Sequence, residues 1–155
     1  MIHQTQNAAL VWATVVLRLF LGIVFLYASF DTILNPAAFA RAVYNYQILP
    51  DSTINLVALI LPWLELYLGF CLVSGCWLPG ATVISTGLLS VFIAAMVYSH
   101  FRGLDVHCGC FYTETTAGPA GFSTLIRDIF FLIVSAYLML HVLLSRQLVL
   151  KASKR

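Results

Sequence analysis

The densest run of reactive side chains is Asp105-Val106-His107-Cys108-Gly109-Cys110-Phe111. Cys108 and Cys110 can close on each other, but the ring is small. A disulfide held away from its favoured torsions stores strain and is easier to reduce. Gly109 supplies the backbone freedom such a ring needs. The pair therefore suits exchange better than stapling. His107 and nearby Arg102 favour a thiolate on Cys108, which is the nucleophile exchange requires; Asp105 works against them. Two other readings stay open. His107, Cys108 and Cys110 offer three metal ligands at unusual spacing, so zinc would need a fourth from His100, Asp105 or a second chain, and no metal is assigned. Alternatively the pair is inert in its loop. Cys71 and Cys76 read as small core residues. They lie most of a bilayer, roughly 25–30 Å, from Cys108, too far for direct exchange within one chain. No C-x-x-C, P-loop, HExxH or Gly-rich dinucleotide motif occurs.

Arg18 and Glu65 raise a different question, because each interrupts a long apolar stretch. A charge at the middle of a bilayer costs about 2.5–3.5 kcal/mol even on the lenient insertion scale. Counted along antiparallel neighbouring spans, the two fall at similar depth, which predicts an Arg18–Glu65 salt bridge. It reads either as a structural tie between helices or as a proton or quinone-head-group site. A second polar cluster gathers where spans end: Asp31, His100, Arg102, Arg127 and Asp128. Asp128 near a helix N-terminus agrees with the helix dipole and Arg127 opposes it, so Arg127 is expected to pair with Asp31 or Asp105.

The elements that must position these groups follow from composition. Of 155 residues, 61% are hydrophobic and 9% charged, against about 45–50% and 25% in soluble domains. Fourteen charged side chains, eight basic and six acidic, cannot cover a soluble globule of this size. The mean hydropathy of +0.95 agrees. Disorder is excluded by the apolar content, and a net charge of +2 without a basic patch excludes nucleic acid. The partner is a lipid bilayer. Four stretches of about 20 apolar residues are expected to span it, roughly 10–30, 54–74, 80–101 and 124–144, leaving no room for a second domain. None alternates as a barrel strand does, so the fold class is all-α, an integral-membrane four-helix bundle. No cleaved signal peptide is expected, since the first stretch lacks a basic lead and contains Arg18. Asn35-Pro36 reads as a helix start, and Phe39, Val43 and Tyr46 recur at helical spacing, so roughly Pro36–Tyr46 is predicted to be a short interfacial helix. The basic tail, Arg146, Lys151, Lys154 and Arg155, places both termini in the cytoplasm and Cys108 and Cys110 outside.

At these residues the chain resembles the DoxX-like superfamily and, within it, the MauE branch named for methylamine utilisation. The resemblance runs over roughly residues 15–142. It is carried by Arg18 with Leu21-Gly22 and Phe25-Leu26, Asp31-Thr32-Ile33-Leu34, the stretch Tyr44-Asn45-Tyr46-Gln47-Ile48-Leu49-Pro50, Pro62-x-x-Glu65-x-x-x-Gly69, Cys108-Gly109-Cys110-Phe111 and Arg127-Asp128. Thr32 stands where such proteins commonly carry lysine. The resemblance implies a four-helix bundle in a bacterial inner membrane, similar to vitamin K epoxide reductase-type disulfide-forming proteins. It implies work on a periplasmic disulfide-rich partner, or beside a sulfurtransferase, with quinone as an electron acceptor. The leading expectation is a thiol–disulfide or sulfur-handling oxidoreductase component. Cys108 and Cys110 would exchange with a periplasmic protein, supported by His107, Arg102, Asp105, Arg127 and Asp31. A quinone would sit near Tyr27, Tyr98 and Phe101. The alternatives are a non-enzymatic membrane scaffold or chaperone for a secreted partner, and a small transporter using Arg18 and Glu65, for which a homo-oligomer would be needed.

Overall fold

A computed structural model describes residues 2–103 and 122–153, with side chains over 10–103 and 124–145. Asp105, His107, Cys108 and Cys110, and with them the zinc alternative, lie outside the described residues. The described chain forms five helices and no strand: α1 (Ile2–Leu34), α2 (Pro36–Asn45), α3 (Asp51–Ser74), α4 (Leu78–Phe101) and α5 (Phe122–Ser153). Four of them carry stretches long and apolar enough to cross a membrane: Leu10–Leu34, Asp51–Ser74, Leu78–Phe101 and Thr124–Ser145. The largest difference from expectation is at the end of α1, which continues four residues beyond residue 30. Thr32 is satisfied inside the helix, its hydroxyl donating to the Ala28 carbonyl at 2.7 Å, so a polar pair there need not end it.

Pro36 has no N–H to donate and opens α2 at its first turn. Asn35 holds the N-cap position through its backbone: its carbonyl accepts from Ala38 and Phe39, both at 3.1 Å, while its side chain makes no capping bond. Phe39 is fully buried and anchors this short helix against α3 and α1. At the other end of α3, Gly75 adopts φ 82°, and its N–H closes on the Cys71 carbonyl at 2.9 Å. That left-handed residue is open to glycine without penalty. Trp77, with φ 47°, completes a three-residue reversal into α4.

The four long helices stand in the ring order α1, α3, α4, α5, with no close backbone approach across either diagonal among the described residues. Lipid tails give apolar helices no reason to prefer each other, so close backbone approach and hydrogen bonds must hold the bundle. At the α1–α3 crossing, Gly22 and Gly69 supply the approach. A Cβ on Gly22 would lie 2.7 Å from Val73 Cγ2, and one on Gly69 would lie 3.0 Å from the Gly22 carbonyl oxygen. Between α4 and α5 the Ser135 hydroxyl bonds to those of Ser85, at 3.0 Å, and Thr86, at 2.8 Å. Phe20 of α1 meets Phe131 of α5 with 6.0 Å between ring centroids, closing the ring. The core between them is Leu21, Phe25, Leu68, Leu72, Phe131 and Leu138.

Candidate functional site

The expected Arg18–Glu65 salt bridge does not form. The Arg18 guanidinium lies against the turn after α3, where a Cβ on Gly75 would be 3.0 Å from its NH1. Its Nε is buried without a hydrogen-bond partner. Ten residues of α3 separate Gly75 from Glu65, about 15 Å along the axis. The sequence count assumed that α1 and α3 enter the bilayer level with each other. The glycine crossing sets a different register, with Gly22 and Leu26 opposite Gly69. Arg18 therefore meets the carbonyl end of α3, whose partial negative charge suits a cation.

Glu65 is buried and makes no ion pair or hydrogen bond among the described residues. Its carboxyl borders a cavity of about 40 Å³ bounded by Leu21, Phe25 and Ala28 of α1, Leu89, Phe92 and Ile93 of α4, and Asp128 and Phe131 of α5. Two carboxyl side chains, Glu65 and Asp128, thus line one otherwise apolar space. The cavity has room for water but is far smaller than small-molecule pockets of about 300–1,000 Å³.

Asp128, counted in sequence with the polar cluster at the span ends, is buried at 5% exposure while its neighbour Arg127 is half-buried. Arg127 Nε donates to Asp128 Oδ1 at 3.0 Å, and its NH2 lies 3.0 Å from the same oxygen. This corrects the expectation that Asp31 partners Arg127: Asp31 Oδ2 is buried without a hydrogen-bond partner. The signal for Asp128 lay in α5 itself, since residues 128, 131, 135 and 138 fall on one face and all are buried. Arg102, at the end of α4, reaches back to the Gln47 carbonyl at 3.3 Å and covers the Tyr98 ring at 5.5 Å. It ties the segment after α2 to the end of α4. Asp31, Arg102, Arg127 and Asp128 all belong to the same end of the bundle.

The residues named for a quinone do not line the interior cavity. Tyr27, Tyr98 and Phe101 are exposed on the outside of the bundle, and α1 and α4, which carry them, stand diagonally opposite in the ring.

At the opposite end, Cys71 lies in the core as expected of a small core residue, whereas Cys76 is exposed, and the two are brought together. Their sulfurs are 3.5 Å apart. The Ser74 hydroxyl donates to Cys76 Sγ at 3.1 Å; that bond, with the contact to Cys71, holds the Cys76 thiol below its ordinary range. The spacing carried the signal: Gly75 caps the helix, and the residues before and after such a cap that touch each other are Cys71 and Cys76.

A family model described as "Methylamine utilisation protein MauE" matches residues 10–141 of this chain. The chain belongs to the MauE family. It is 36% identical over 101 residues to the Methylamine utilization protein MauE of Paracoccus denitrificans, covering 64% of this chain and 53% of that protein. The chain thus spans about half the length of the relative it matches. No solved structure matches it. This MauE-family chain is a membrane protein whose polar groups sit in three places: the Asp31–Arg102–Arg127 end, the Glu65–Asp128 cavity and the Cys71–Cys76 turn with Arg18.

Proposed function

We propose that the protein is a membrane component of methylamine utilisation that exchanges disulfides with a periplasmic partner through Cys108 and Cys110. The observation that carries the reading is the order along the chain: Cys108 and Cys110 fall between α4 and α5, whose facing ends carry Arg102 and the Arg127–Asp128 pair. Family membership supports it. In the exchange, a partner thiolate attacks the Cys108–Cys110 disulfide and forms a mixed disulfide. The partner's second thiol then releases the pair as two thiols, so that two electrons and two protons leave the partner. A disulfide on a second thiol-redox protein restores the oxidised pair. The basic tail supports placing this end on the periplasmic side.

Cys110→Ser should leave a mixed disulfide between Cys108 and the partner, visible on non-reducing gels and lost on reduction. If the Cys108→Ser/Cys110→Ser protein supports growth on methylamine as well as the parent, the exchange role is wrong, and a scaffold without redox chemistry takes its place.

A further inference from the structure

Cys71 and Cys76 take no part in the role proposed for Cys108 and Cys110, and they sit at the other end of α4, whose 24 residues span about 36 Å. The two sulfurs differ in surroundings. Cys71 is fully buried on α3, against Leu68, Leu72 and Ala81. Cys76 is exposed, one residue past the helix cap and outside the four spans. Between them is a 3.5 Å contact, about 1.5 Å longer than a sulfur–sulfur bond. The gap is bridged by moving Cys76 alone, in a turn whose flanking residues, Gly75 and Trp77, both hold positive φ. The Ser74 hydroxyl donates to the outer sulfur, and the Arg18 guanidinium lies against Gly75. An accessible sulfur polarised by a donor, backed by a shielded sulfur in contact, is what a two-step exchange needs: one thiol to attack and one to resolve.

We infer that Cys76 and Cys71 form a second dithiol centre, which reduces disulfides reaching the α3–α4 end of the bundle. Cys76, as thiolate, attacks one sulfur of a disulfide R–S–S–R. The S–S bond breaks and the departing RS⁻ takes up the proton that Cys76 gave. Cys71 then loses its proton and attacks Cys76, expelling the second RS⁻, which is protonated in turn. The sum is two thiols and one disulfide converted to a Cys71–Cys76 disulfide and two RSH, with two electrons passed to the substrate. The contact between the residues flanking a glycine cap also occurs for packing alone, and the experiment separates the two cases.

The full chain carrying Cys108→Ser and Cys110→Ser, purified in nanodiscs, is incubated with excess oxidised glutathione, then alkylated and weighed. The proposal expects both remaining thiols to disappear together, with loss of two hydrogens and no retained glutathione. Adding Cys71→Ser should stop the reaction halfway, leaving one glutathione on Cys76. Adding Cys76→Ser instead should leave Cys71 free and unmodified. The inference is overturned if both thiols survive when all other cysteines are absent, or if glutathione stays on Cys76 while Cys71 is present. Should Cys71→Ser fail to fold, the fate of the intact pair and of Cys76→Ser still decides. None of these outcomes depends on whether Cys108 and Cys110 exchange.

Discussion

The relation between Arg18 and Glu65 can be measured as a coupling energy. Arg18→Gln, Glu65→Gln and the double variant form a cycle in which the non-additive part reports their interaction. The guanidinium lies at Gly75, ten residues and about 15 Å along α3 from Glu65. At an effective dielectric constant of 20, unit charges that far apart interact by about 1 kcal/mol, against about 4 kcal/mol at the 4 Å of a contact pair. Unfolding in mixed micelles of rising dodecyl sulfate, followed by far-UV circular dichroism, should return a coupling of about 1 kcal/mol or less. Arg18→Gln should instead be non-additive with Gly75→Ala, because the new Cβ would sit 3.0 Å from Arg18 NH1. A coupling of about 3 kcal/mol or more between Arg18 and Glu65 would refute the register described above. So would rescue by exchanging the two charges.

Three further outcomes test other parts of the structure. Gly69→Ala should destabilise by about 1–3 kcal/mol in the same unfolding assay, since its Cβ would lie 2.9 Å from Leu26 Cγ and force α1 off α3. Ser135→Ala removes the bonds to Ser85 and Thr86, a loss of about 1 kcal/mol at membrane values, whereas Ser90→Ala, which bonds only within its own helix, should stay within about 0.5 kcal/mol. The alkylation rate of Cys76 should rise at lower pH than that of an ordinary thiol, because its thiol is held low by Ser74 and Cys71; Ser74→Ala should move the midpoint upward, with Arg18 and Tyr67 unchanged around it.

The four spans and the short helix at Pro36 were legible because hydropathy over about 20 residues and a proline at a helix start are local signals. The pairing of charges was not. Arg18 and Glu65 each betray themselves in sequence, but their partners depend on helix register, and that register is set by Gly22 meeting Gly69 rather than by the charges. Asp128 was visible as a residue of α5's buried face only once Phe131, Ser135 and Leu138 were read with it. Cys71 and Cys76, five residues apart, would be on different faces of a continuous helix; the glycine cap folds the chain back and joins them.

The ring order has a mechanical consequence. α1 packs most extensively on α3, and α4 on α5, so the bundle is built like a book: two boards, one of α1, α2 and α3, the other of α4 and α5. The spine is the short turn from Gly75 to Trp77. Glu65 is printed on one board and Asp128 on the facing page, so a parting of the boards draws these two side chains apart. Cys71 and Cys76 sit at the spine, where an opening book moves least.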